Sequence, residues 1–245
     1  MTRRERLMAT LNGKPVDRPP VSFYEIHGAQ DTSSKDPYNI YSHPSWRSLI
    51  ELAREKTDRI VMTSGRLRPG LPNPLEELTR VEQRIENGSK ITTTTVKAGK
   101  RVLRTVTRRD LDVNTVWTLE HQLKDTDDLE AWLELPEPVF GGTVDPTLVL
   151  EAERELGDDG IVMMNISDPL CQVASRFSME DFTVVALTEP ELFHRALEKS
   201  ARYLNPCVEA LARAVPGRLW RIVGPEYASP PYLPPHLFKE YATRY

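Results

Sequence analysis

Apolar positions recur at helical spacing from the start of the chain. Leu7, Met8 and Leu11 share one face between Glu5 and Leu11, and Asn12-Gly13 ends the run. After Asp17-Arg18-Pro19-Pro20 the short apolar stretch Val21–Ile26 predicts a buried strand leading to Glu25, His27 and Gly28. Pro44–Lys56 has helical spacing through Trp46, Leu49, Ile50 and Ala53, with Ser42 placed to cap it, and Asp58–Met62 reads as a second buried strand. From Leu78 to His121 the period changes to strict alternation. Thr79–Ile85, Ile91–Val96, Arg101–Thr107 and Thr115–Leu119 predict antiparallel strands, with turn signals at Asn87-Gly88 and Ala98-Gly99-Lys100. Helical and strand patterns then alternate again. Helices are expected over Asp125–Leu133, Pro146–Leu156, Met179–Leu187, Glu189–Ala214 (with Pro206 a potential kink) and Pro234–Tyr245. Strands are expected over Ile161–Asn165 and Leu219–Val223. Strand–helix–strand order favours a parallel α/β domain, so the chain reads as one domain, 1–245, with a β-rich insertion at 78–121.

Composition narrows the class. Lys and Arg number 32 against 36 Asp and Glu, a net charge of −4 without any basic block, which argues against nucleic acid as a partner. No apolar run reaches the roughly 18 residues of a membrane span, and the charged start lacks a signal peptide's apolar stretch. Cys171 and Cys207 make no disulfide framework, and packing is the simplest role for both. A cytoplasmic protein is expected.

Nucleotide-binding glycine motifs, the phosphate-cradling loop and the nucleophile elbow are all missing. The five histidines and two cysteines show no metal-ligand spacing, so no metal site is expected within the chain. Placement says more. In parallel α/β domains ligands bind at the carboxyl ends of strands, where this chain carries Glu25 with His27, Asn165 to Asp168, and Glu226 with Tyr227. Glu226 and His27 are the candidate catalytic pair, an acid/base carboxylate and a proton shuttle; Glu25, Asn165, Asp168, Arg221 and Tyr227 are candidate substrate contacts. Each has a structural alternative. Asp168 before Pro169 can cap a helix, and Arg221, mid-strand, needs a partner that Glu226 could supply.

Three stretches carry a resemblance. RRERLMATLNGKPVDRPPV at 3–21, WTLEH at 117–121 with Lys124-Asp125 and Asp128-Leu129, and RIVGPEYASPPYLPPHLFKEY at 221–241 together resemble the uroporphyrinogen decarboxylase family, which includes corrinoid-dependent methyltransferases. The resemblance implies a (β/α)8 TIM-barrel type fold, incomplete at its C-terminal end, with the antiparallel excursion inserted. Departures from the family bear on substrate. Decarboxylases carry an RQAGR segment whose arginines hold substrate carboxylates, and here EIHGA stands at 25–29. An arginine-to-glutamate exchange turns an attraction of roughly 4 kcal/mol at about 4 Å into a repulsion of similar size. The decarboxylase Asp after the second strand is replaced by Met62-Thr63-Ser64-Gly65, and its Tyr falls near Ser175. The methyltransferase branch would use zinc on a His-x-Cys pair, and none occurs within 1–245. Zinc and a corrinoid protein are expected only with a form continuing past Tyr245. The expected activity is on a corrinoid- or tetrapyrrole-linked small molecule, with methyl transfer preferred over decarboxylation. A barrel hydrolase using Glu25 and Glu226, and a non-catalytic remnant, are the alternatives; a homodimer is also open.

Overall fold

Thr2 opens helix α1 (Arg3–Leu11) with a capping box, its hydroxyl accepting the Glu5 N–H while the Glu5 carboxylate accepts the Thr2 N–H. The computed structural model describes residues 1–245. From α1, Arg6 donates through Nε and Nη2 to Asp17, both at 2.7 Å, and through Nη1 to Asp58 at 2.7 Å. Arg18 gives Asp58 a second contact at 2.7 Å, and the Val21 N–H a third at 2.8 Å. Burial, the largest single influence, pushes the Asp58 carboxyl up. Arg18, the Val21 N–H and Arg6 together outweigh it and hold the pKa below the usual carboxylate range. This buried cluster fastens the N-terminal segment to the residue just before the first strand.

Helix α2 (Arg47–Lys56) leads to β1 (Arg59–Thr63) and then to the three-residue β2 (Arg66–Arg68). Four strands follow: β3 (Thr79–Glu86), β4 (Ser89–Ala98), β5 (Arg101–Arg109) and β6 (Val116–Glu120). They pair antiparallel in chain order, with a bulge between Val106 and Thr107. Asn87 and Gly88 both take positive φ at the first turn, as a two-residue hairpin requires. Helix α3 (Thr126–Leu133), capped by Asp125, is followed by β7 (Thr143–Asp145), which pairs antiparallel with β2. Helix α4 (Thr147–Leu156) returns the chain to β8 (Gly160–Ser167). Helices α5 (Pro169–Ala174), α6 (Met179–Thr188) and α7 (Pro190–Ala214) then bridge to β9 (Leu219–Val223). The chain ends in helical turns over His236–Thr243. No helix is long and apolar enough to cross a membrane.

The barrel expectation is overturned. Only β1, β8 and β9 run parallel, in the order β1-β8-β9, and the three sheets enclose no closed barrel, which would need eight parallel strands. Two causes are visible. The chain between β1 and β8 is spent largely on hairpins, and short turns can join only antiparallel neighbours. The apolar stretch Val21–Ile26 forms no strand either. Val21 exchanges a backbone bond with Asp58, whose N–H donates to the Val21 carbonyl at 2.7 Å, and the rest is irregular, with Val21 and Tyr24 exposed. Ser42 also departs from its expected cap role, donating to the Ser34 carbonyl, while His43 Nδ1 accepts the Ser45 N–H at the turn before α2.

One face of the parallel sheet is covered. Val61, Val162 and Met164 pack with Val149 and Leu156 of α4 and with Leu211 and Val215 at the end of α7. The larger core lies beside the sheet, where α3, α5, α6 and α7 meet Val96, Ala98 and Leu103 of the antiparallel sheet. The opposite face of the parallel sheet, bearing Met62, Asn165 and Arg221, is left partly open, with Asn165 exposed.

Candidate functional site

The carboxyl ends of β8 and β9 meet the amino end of α5. Asp168 caps that helix, its Oδ1 accepting the Cys171 N–H at 2.7 Å, while its own N–H donates to the Val223 carbonyl at 3.0 Å. Gly224 follows β9 with φ +125°, and a Cβ there would lie 2.2 Å from Cys171 Cβ and 2.3 Å from Asp168 Oδ1. Only glycine lets the turn press against the helix this closely. The turn Pro225–Ala228 then folds Glu226 back, so that its Oε2 accepts the Gly224 N–H at 2.9 Å. Burial first, with the Glu226 charge adding to it, pushes the Asp168 carboxyl up. Burial and the two carboxylates push the Cys171 thiol up to about 11, leaving it protonated and a weak nucleophile at neutral pH. Tyr227 stacks edge-on against Phe182 with ring centroids 5.7 Å apart, and burial raises its phenol.

On the open face Arg221 stands directly across from Asn165 in the β8–β9 register. Its Nη1 donates to Met62 Sδ at 3.3 Å and its guanidinium lies 4.9 Å from the centre of the Tyr24 ring. The carboxylate of Glu226, expected as the Arg221 partner, instead holds its own turn. Tyr24 and Met62 are site neighbours that the sequence did not single out. The register that sets Met62 beside Arg221 depends on a pairing about a hundred residues away, and Tyr24 reaches it from an irregular segment that no local pattern places there.

His27 and Gly28, just past Tyr24, are anchored toward α2 and the start of β1. Arg59, the first residue of β1, donates from Nε to the His27 carbonyl at 2.7 Å, and Arg54 Nε donates to the Gly28 carbonyl at 3.0 Å. Gly28 has φ +78° and sits so close to α2 that a Cβ would be 2.8 Å from the Arg54 backbone. Burial, then the Arg59 charge, pushes the His27 pKa down, so the ring is neutral at neutral pH. Arg59 pairs with Gly160 at the start of β8, and Asp168 follows its end, so these two backbone positions are about 26 Å apart along the strand. The Glu25 charge acts on Tyr41, whose phenol is raised first by burial and then by that carboxylate. The structure therefore gathers Asp168, Glu226 and Tyr227 at one edge, and Asn165 with Arg221 beside them. His27 is held toward α2 and Arg59, Glu25 follows the Tyr24 that lies on Arg221, and no hydrogen bond joins either residue to Asp168 or Glu226.

The residues at the edge do not suit zinc. No group of three His, Cys, Asp or Glu side chains is placed to hold a metal. Asp168 and Glu226 each give an oxygen to a backbone N–H, and Cys171 is the one soft donor beside them, with no histidine in its company. Compared with protein-family models, curated proteins and solved structures, the chain matches none.

Proposed function

We propose that the protein is a small-molecule enzyme of the uroporphyrinogen decarboxylase type, working at the carboxyl edge and open face of its three-stranded parallel sheet, with methyl transfer preferred over decarboxylation. The resemblance of the 3–21 and 221–241 stretches supports the family, and Arg221 is the observation that carries the site. It is a strand guanidinium on an open face with no carboxylate partner, its hydrogen bond going to a thioether and its plane to an aromatic ring, so an anionic substrate group is its natural partner. Asn165, directly across, supplies an amide to orient that group. Methyl transfer from a heteroatom leaves that atom needing a proton, and Asp168, with its carboxyl held protonated to higher pH than usual, is the residue to supply it. Decarboxylation of a polycarboxylate fits less well, because Glu25 replaces an arginine and Arg221 stands with one amide rather than in a cationic cluster. A corrinoid would come with a partner protein, and this chain offers no zinc ligand set. With both cysteines free, the cytoplasm is the compartment proposed.

The test follows methylation of added cob(I)alamin by absorbance, using a panel of small carboxylates bearing O-methyl or N-methyl groups. Donor-dependent methylation is expected, and Arg221→Met should lower it about 10- to 100-fold, the worth of one charge-assisted contact. Uroporphyrinogen should release no carbon dioxide above the blank. Decarboxylation of it would reverse the preference, and no turnover of either kind by folded protein would overturn the enzyme reading.

A further inference from the structure

A cavity of about 250 Å³ lies between the antiparallel sheet, α3 and α7, remote from Arg221 in its lining. Its walls are mostly apolar, with Leu75, Val96, Trp132 and Leu135 on one side and Leu204 on the other. A second cavity of about 230 Å³ adjoins it and has no hydrophobic lining residue; Thr105, Thr118 and Ser175 supply hydroxyls there. Gln122, Gln172 and Arg176 line both, so the two are compartments sharing a polar wall.

The charge in this wall is unbalanced. Lys199 is buried, and its ammonium is spent on the carbonyls of Trp132, Leu133 and Leu135 at 3.1, 2.8 and 2.5 Å, closing the carboxyl end of α3. Arg176 has no such commitment. Its Nη1 donates to Gln122 Oε1 at 2.5 Å, and its guanidinium lies 4.9 Å from the centre of the Trp132 ring, which fixes the plane. Its Nε is buried without any hydrogen-bond partner. No Asp or Glu lines either compartment. Arg176 thus lines both compartments with no carboxylate to balance it, and a half-buried guanidinium so placed is poised for an anionic ligand. The Nη2 of this guanidinium, held flat by stacking, makes no hydrogen bond within the protein and suits a carboxylate oxygen as a charge-assisted donor.

We propose that this double cavity binds a small carboxylate with an aromatic or aliphatic body, its carboxylate on the Nη2 end of Arg176 and its body against Trp132 and Leu135. Hydroxyls and amides of the polar compartment complete the carboxylate's shell, and the apolar compartment selects a body about the size of a phenyl ring. The site is independent of Arg221 and does not rest on the methyl-transfer reading. Gln172 is its link to the sheet, since its Nε2 donates to Ser167 Oγ at 2.5 Å at the end of β8. A ligand drawing on Gln172 would be felt at that edge.

Isothermal titration of the full chain with phenylacetate, phenylacetamide and inorganic phosphate tests the proposal. Phenylacetate should bind with one site per chain, and phenylacetamide at least about tenfold more weakly, as expected for loss of a charge-assisted pair. Arg176→Lys should weaken phenylacetate binding partly, and Arg176→Gln about 10- to 100-fold. Ser200→Phe, which fills the apolar compartment from a half-buried position on α7 and leaves the guanidinium's charge in place, should abolish it. Should an Arg176 variant fail to fold, the amide comparison and Ser200→Phe still decide. Equal binding of amide and acid, phosphate binding as tightly as phenylacetate, or no binding by folded wild-type protein would each overturn the proposal.

Discussion

At Asp58 a single carboxylate collects Arg6, Arg18 and the Val21 N–H, and these residues are drawn from the same N-terminal run that carries the family resemblance. The run therefore reports how the N-terminus is fastened rather than what the site does. The arginines and Asp17 were legible as a motif, but their partner was not, because nothing local links position 6 to position 58. Asp58→Asn keeps the side-chain shape and removes the charge, leaving a buried guanidinium without its counter-ion. Breaking such a pair costs about 3–5 kcal/mol, so denaturant unfolding at pH 7 should show a loss of that order. The pH dependence follows from a carboxyl whose pKa is lowered in the folded state. Its stabilisation is fully present above the unfolded value of about 3.9 and is lost as pH falls through the lower folded value. The gap between wild type and variant should stay level from about pH 7 to pH 5 and close below about pH 4. A gap that persists in acid would assign the loss to packing.

Elements with a strong period were legible almost to the residue, because periodicity and caps are local. Asp125 and Ser178 cap α3 and α6 through N–H groups three residues on, and Leu219–Val223 is the strand the pattern predicts. What escaped was short or non-local: β2 and β7, three residues each, take their structure only from one another. The Val21–Ile26 stretch shows the reverse error, an apolar run with strand composition whose backbone pairing stops at the single Asp58 N–H on the Val21 carbonyl. The last segment, read as one helix over Pro234–Tyr245, begins at His236 and widens to a π-helical turn over Lys239–Thr243, where Tyr241 is buried and donates to the Ala186 carbonyl. For the candidate sites, the rule that ligands gather at strand ends singled out Asp168, Glu226 and Tyr227, whereas Arg176 follows a six-residue helix and belongs to no motif. The contact that joins α3 to α7 is Lys199, which caps three carbonyls. Lys199→Met keeps most of the stem's packing and leaves those carbonyls unmade. A destabilisation of about 2–4 kcal/mol is expected in chemical denaturation. A change below about 0.5 kcal/mol would mean that water replaces the ammonium at no cost.

The molecule as a whole joins a three-stranded parallel sheet, covered on one face, to a four-stranded antiparallel sheet through a shared helical core. Fold class at the level of mixed α/β, and the antiparallel run, were visible in the alternation. Closure into a barrel is not a local property, and no pattern in the chain encodes it. The pairing of Ile60 with Ile161 has a consequence for how quickly the chain reaches its native state. Bringing those positions together closes a loop of about a hundred residues, at an entropic cost of about 4 kcal/mol, before any parallel bond forms. The β3–β6 hairpins inside that loop are local and can form within microseconds, shortening its free length by a little under half. Since each halving is worth only about 0.6 kcal/mol, early hairpins speed the closure by no more than about threefold. Gly88→Val, which strains the first hairpin turn at φ +82°, should thus lower stability yet slow refolding by no more than about threefold, as stopped-flow fluorescence would measure. A slowing of a hundredfold would instead place the hairpin in the folding nucleus, with the parallel sheet assembling around it rather than waiting for its own two distant strands to meet.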